Sequence, residues 1–241
     1  MKKILFLTLA ILFQSCVTNK YLSSSTPIVE ISDIGYFEPL AIIELIKKQN
    51  KSEPSDSLSI VSKQKIDSLL STNRKKYKIK ERITLNKKIQ EKVDYEISFL
   101  IQSAMTKRNL EGIKITPVLD SILESRNQRF GLGVLAVGFG RRKGNYGGQI
   151  AKGVAVGELT LGLFVPVPIK SNLRLFSIIV DSQKNEISFY KATLPIEKSP
   201  TNYFILKTQL DKLYENYLFK KNNYVFPLSS KNSTHYKNLF G

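Results

Sequence analysis

Apolar side chains recur at steps of three and four from Ile89 through Val93, Ile97, Leu100, Ile101 and Ala104 to Met105. This spacing predicts an amphipathic helix, with Asn86 as its N-cap and Gly112 as its stop. A shorter stripe of Leu58, Val61, Ile66, Leu69 and Leu70 predicts a second helix, capped by Asp56 or Ser57. Thr116-Pro117 sets a cap before a proline at the first helical position and predicts a helix to about Arg126. Ser199-Pro200 repeats the device, with a helix to about Phe219. At residue 130 the period disappears: FGLGVLAVGF is apolar throughout and reads as a buried central strand. Residues 173–180 and 186–191 flank the polar DSQKN and predict a hairpin. Residues 42–46, after Pro39, form a first strand or short helix, and the almost wholly polar residues 47–57 read as loop.

The order is helices, buried strand, glycine-rich insert, hairpin, helix. It predicts an α/β (α+β) class, helices packed on a small mixed sheet, preceded by a basic helical region. On this reading residues 28–112 are the basic, mainly helical part and 113–219 the α/β domain. Residues 140–170 are its glycine-rich insert and 220–241 a polar tail.

The N-terminus changes the picture most. Two lysines precede an apolar run over residues 4–13, too short for a bilayer span and right for a signal-peptide core. The run leads into Phe13-Gln14-Ser15-Cys16, which resembles a bacterial lipobox, and Cys16 is the sole cysteine of the chain. The resemblance, of a Bacteroidetes type, implies a signal peptide at residues 1–15 and a diacylglyceryl group on the Cys16 thiol. Residues 16–27 would then be a lipidated tether, its Ser-rich KYLSSST flexible in composition. Two or three acyl chains would hold the protein in a lipid bilayer. In such lipoproteins an acidic run after the cysteine marks surface export; residues 17–20 (VTNK) have none. The expectation is therefore an outer-membrane anchor with the body facing the periplasm.

Composition narrows the function. The 241 residues hold 37 Lys and Arg against 20 Asp and Glu, a formal charge of +17; removing Lys2 and Lys3 leaves 35 − 20 = +15. In the cytoplasm such a charge would suggest nucleic acid. Export removes that partner and leaves lipid headgroups, lipopolysaccharide phosphates or an anionic wall polymer. The basic residues are densest from Arg74 to Lys92, yet only 8 of the 37 are Arg, the better bidentate phosphate ligand. One Cys and one His exclude a disulfide framework and a thiolate zinc cluster, so neither metal nor cofactor is expected.

Ten of the thirteen glycines lie between Gly131 and Gly162. The stretch GFGRRKGNYGG could cradle an anion with backbone N–H groups, and Arg141, Arg142 and Lys143 are its candidate anion contacts. Its spacing fits neither the dinucleotide fingerprint nor the P-loop, and a surface loop is the favoured reading, with anion contact the alternative. Residues 149–168 are apolar, with Gly153-x-x-x-Gly157. They suit close packing on the sheet, or a self-associating or membrane-touching segment; Lys152 and Glu158 argue against a span.

Catalytic arrangements are not apparent. His235 lies in the tail, no G-x-S-x-G elbow occurs, and a lipidated Cys16 would be no nucleophile. Asp94 and Glu96 point to different helix faces; Asp120 and Glu124 share one that simple exposure explains. A non-enzymatic protein is expected.

SILESRNQRFGLGVLAVGFG followed by LRLFSIIVDSQKNEISFY resembles the helix, strand and hairpin of lipoprotein domains related to CsgG, LpoB and the N-terminal domain of TolB. The likeness covers residues 113–219 and implies a binding or assembly role in the cell envelope. The leading expectation is an accessory or scaffold protein contacting envelope machinery or wall polymer. The alternative is a self-assembling, homo-oligomeric secretion or pore component resembling CsgG, and an exported hydrolase ranks last.

Overall fold

The computed structural model describes residues 21–142, 144, 147, 150, 151 and 168–220. Along the chain run β1 (Leu22–Ser23), β2 (Ile34–Tyr36), β3 (Leu40–Ile46), β4 (Ser52–Pro54), α1 (Asp56–Thr72), β5 (Ile79–Arg82) and α2 (Lys87–Met105). Then follow α3 (Pro117–Ser125), β6 (Phe130–Arg141), β7 (Asn172–Asp181), β8 (Glu186–Ala192) and α4 (Tyr203–Tyr214). All eight strands form one mixed sheet, the α+β class the pattern predicts.

The apolar run from Phe130 becomes the organising strand. β6 pairs antiparallel with β7 from Phe130↔Asp181 to Phe139↔Asn172. Its other edge is parallel, first to β2 (Tyr36↔Leu132) and then to β3 (Leu40↔Leu135 through Ile46↔Arg141). Between the Tyr36 and Leu40 pairs one side advances four residues and β6 three, so β2 and β3 are one strand broken by a bulge. Pro39, which has no N–H to give the ladder, sits in the break.

Because β6 is buried on both faces, its residues alternate between two cores. Phe130, Leu132, Val134 and Ala136 pack under α1 and α4, against Ile66, Leu69, Leu210 and Leu213. Leu135 joins Phe176 and Ile178 under α2 and α3, against Val93, Ile97, Leu100, Leu119 and Leu123. Each such buried aliphatic side chain contributes about 1.5–3 kcal/mol. Gly133 faces the second core, where a Cβ would stand 2.9 Å from Ile97, so α2 sits close because the strand has no side chain there.

Several elements differ from expectation. α2 keeps its Asn86 cap, which accepts from the Ile89 N–H, but ends at Met105; Gly112, at φ 75°, serves a later turn. The α1 cap is Ser55. α4 is capped by Asn202, so Ser199-Pro200 lies in the preceding turn, and the helix stops at Tyr214. Thr116 does not cap α3 with its own side chain: its hydroxyl donates to Glu96 of α2, and the Glu96 carboxylate accepts the Leu119 N–H at 3.2 Å. Residues 47–57, expected as loop, return through β4, which pairs with β3. Residues 28–112 contribute β2 to β5 to the same sheet as β6. Of these, β2, β4 and β5 have three or four residues each, too few for a period to show.

The body starts inside the expected tether. β1 pairs with β8 (Leu22↔Tyr190), and the Tyr21 ring lies 5.0 Å from that of Tyr217. Thr26 and Arg129 both donate to the fully buried Asp181 carboxylate, Arg129 through Nε and Nη2 at 2.8–3.1 Å. Arg129 also reaches Glu30 at 2.9 Å, so residues 26–30 are bound to the end of β7.

Candidate functional site

The second core runs out along β6 before the sheet does. Leu40, Leu135 and Phe176, in register across β3, β6 and β7, are its last members. Two residues further on the same face stand Ile42, Val137 and Arg174, then Glu44, Phe139 and Asn172. Among the described residues no helix covers them: Ile42 is 54% exposed and Val137 36%. With Pro195 they form an open groove of about 360 Å³, its lining mostly apolar.

Local chemistry shapes its walls. Gly138 lets β7 begin close by, since a Cβ there would meet the Asn172 carbonyl oxygen at 2.2 Å. After β8, Thr193 bonds Leu175 twice, through its N–H (2.8 Å) and by accepting at Oγ1 (3.0 Å). Ile196 then pairs with Leu173, which carries Pro195 to the groove. Arg174 donates from Nε to the Thr193 carbonyl and lies 4.7 Å over the Phe176 ring. Glu44 stands on the opposite wall and accepts from the Ser52 hydroxyl. The result is an apolar floor between one anion and one cation, a pattern that fits a protein surface better than a polar small molecule.

Arg141 and Arg142 lie at the end of β6, beyond this groove. The Arg141 guanidinium is occupied, donating to the Ile169 carbonyl (2.6 Å) and the Asn50 side chain (2.8 Å). Arg142 is exposed, with its backbone N–H on Ile46. Lys143 and Cys16 lie outside the described residues, as do His235 and most of residues 143–167. Of the two arginines, Arg142 therefore retains a side chain open to an anion, while Arg141 ties the β6 exit to the chain entering β7.

Three side chains of the basic stretch from Arg74 to Lys92 are taken by neighbours. Lys76 pairs with Asp211 of α4 (2.6 Å), Lys78 donates to the Ile28 carbonyl, and Arg82 meets Glu38 and Asp67. Of the carboxylates weighed from sequence, Asp94 and Glu96 are similarly engaged, while Asp120 Oδ1 is buried without a hydrogen-bond partner. Glu96 caps α3, and Asp94 accepts from Gln90, burial holding its carboxyl above the ordinary range. A second cleft, beside Glu124, Gln128 and Ser182, contains a buried Gln128 Oε1 without a partner, but its cation Arg129 is consumed by Asp181 and Glu30. Among the described residues no three His, Cys, Asp or Glu side chains gather as a metal site, and no helix is long and apolar enough to cross a membrane.

Sequence reasoning missed the groove because the run over residues 130–139 reads as uniformly buried. The signal that could have located it is the charge at Glu44, within the otherwise apolar β3, and at Arg174, between Leu173 and Leu175 of β7.

No family model matches the chain, and no curated protein matches it. Among solved structures it is similar to a point variant of the PelC dodecamer from Paraburkholderia phytofirmans at 8% identity, covering 80% of this chain and 95% of that one, TM-score 0.35. The PelC dodecamer itself gives 7% identity, 80% and 91% coverage, TM-score 0.35. The LpoB C-terminal domain from Salmonella enterica gives 8% identity, 70% and 86% coverage, TM-score 0.28. At these TM-scores the likeness carries no argument, and function is read from the chain's own residues.

Proposed function

We propose that this chain is a lipid-anchored cell-envelope protein, probing no substrate for chemistry but binding a protein partner through the open groove of its sheet. The observation that carries the reading is the uncovered strip of Ile42, Val137 and Phe139, held on a rigid central strand between Glu44 and Arg174. Apolar floor with a charged rim is the anatomy of a binding interface, and it lacks the enclosure a reaction site needs. The lipobox-like Cys16 supplies the anchor, on the periplasmic side of the outer membrane, five residues before the body begins at Tyr21. In this setting the charge of +15 favours an anionic neighbourhood of headgroups and wall polymer.

A photoreactive side chain at position 137, compared with one at exposed Ile60 of α1, tests the groove in envelope membranes. A discrete adduct is expected at 137 alone, lost in Ile42→Asp with the melting temperature unchanged. Equal labelling at both positions would count against the groove.

One feature favours a second copy as occupant: Glu44 and Arg174 on opposite walls make the strip self-complementary about a two-fold axis. Light scattering on the chain should then report a dimer or larger assembly that Arg174→Glu dissociates and Glu44→Arg with Arg174→Glu restores. A concentration-independent monomer leaves an envelope protein as the occupant.

A further inference from the structure

Helix α2 bears two aromatic rings where a surface helix ordinarily bears polar side chains. Its buried positions, Gln90, Val93, Ile97, Leu100, Ile101 and Ala104, all face the sheet. At 100° per residue the opposite pole falls on Lys88, Tyr95 and Phe99, with Glu91 and Lys92 beside them. Tyr95 is 74% exposed and Phe99 51%. Lys88 and Lys92 are exposed and make no ion pair among the described residues, so two cations stand against the single carboxylate of Glu91; Glu96, next in the stripe, is committed to capping α3. Rings flanked by long cationic side chains suit the water–lipid boundary, where the ring sits among headgroups and the ammonium group meets phosphate.

The length of the chain ahead of the body says why a bilayer should be there. Tyr21 is five residue steps beyond Cys16, a reach of about 18 Å at full extension. A body acylated at Cys16 is thus held against the membrane, and one of its sides must face it. The rival side carries Tyr203 and Phe204 at the start of α4, but there Lys207 is taken by Asp211 (3.1 Å) and Lys65 by the Thr201 carbonyl (2.6 Å). Beside Tyr95 and Phe99, Lys88 and Lys92 are both exposed and in no ion pair among the described residues.

We propose that α2 lies along the bilayer surface, with Lys88, Lys92, Tyr95 and Phe99 among anionic phospholipid headgroups. The inference rests on anchoring at Cys16. The groove shares this face of the sheet, so it would open beside the bilayer, toward a partner rooted in the same membrane.

The chain contains no Trp, so Phe99→Trp or Phe204→Trp gives a single indole at a chosen side. Each full-length lipidated protein is reconstituted into phosphatidylglycerol-containing vesicles that carry brominated acyl chains. The indole at position 99 is expected to shift to the blue and to be quenched several-fold more than that at 204, and Lys88→Glu with Lys92→Glu should abolish the difference. Equal quenching at the two positions, stronger quenching at 204, or undiminished quenching at 99 in pure phosphatidylcholine would overturn the proposal. A blue shift at 99 before vesicles are added would mean that protein covers the stripe, and would overturn it too. Vesicle flotation of Cys16→Ser keeps the premise separate: flotation equal to that of the acylated chain defeats the anchor, whereas an anchored chain unquenched at 99 defeats this orientation alone.

Discussion

Gly138 and Gly140 are two residues apart in β6 and should respond differently to the same methyl group. At Gly138 it meets a backbone oxygen at 2.2 Å, which cannot swing aside; at Gly140 the nearest atom is the Leu58 side chain at an ordinary 3.4 Å. Gly138→Ala is expected to cost about 1–3 kcal/mol or more, and Gly140→Ala little, in urea unfolding. The arginines beyond them divide likewise: Arg141→Ala forfeits two hydrogen bonds, about 1 kcal/mol, while Arg142→Ala should leave stability unchanged. Two carboxylates set opposite pH slopes. Burial pushes the Asp211 carboxyl up, but hydrogen bonds from Lys76, Tyr77 and Lys207 outweigh it and hold it below the usual range. Its contribution is complete above the unfolded value, about pH 4, and is lost as acid protonates the folded form. Asp211→Asn should therefore lower stability at pH 7 and flatten the acid limb. Asp94 is raised by burial against the opposing Gln90 hydrogen bond, so its contribution fades as pH rises past the same value. Asp94→Asn should thus leave neutral stability equal or higher, as thermal unfolding from pH 3 to 7 would read.

Among elements, the most informative contact is that between α2 and α3. α3 has nine residues, too few to persist without tertiary support. The Leu119 N–H of its first turn is satisfied by Glu96 of the neighbouring helix rather than by the Thr116 side chain. Glu96→Ala should cost about 1 kcal/mol, the worth of a cap, and accelerate amide exchange in α3 before α2. The Thr-Pro dipeptide correctly marks where the helix starts, yet it does not reveal what caps it. The same holds at α4, where Ser199-Pro200 suggests a start and the Asn202 side chain three residues on provides it. Long periodic elements were legible: α2, β6 and the β7–β8 hairpin lie where their patterns put them. β2, β4 and β5, three or four residues each, were not, because pairing with neighbours rather than their own composition makes them strands.

For the whole molecule, the sheet joins segments far apart in sequence: β6 holds residues 34–46 on one edge and 172–181 on the other. The open groove is a consequence of that arrangement. Its Ile42, Val137 and Arg174 come from three strands, and their exposure depends on where α2 and α3 stop. At this scale the anchor is decisive for the proposed function. Cys16→Ser should move the protein from the membrane fraction to the soluble one and abolish labelling with radioactive fatty acid. Unchanged membrane association would refute the lipoprotein reading.

What the amino-acid sequence determined by itself is local. A cap, a three-four stripe, an unbroken apolar run and a single cysteine after a signal-like segment are all read over a few neighbouring residues, where propensity and periodicity act. What only tertiary structure decided is which surfaces remain uncovered and which charges remain unpaired. Lys76, Arg82 and Arg141 lose their freedom to distant partners, while Lys88 and Lys92 keep theirs. The physical reason is that burial and pairing are set by packing between elements distant along the chain, and no local pattern records how far a helix extends over a sheet.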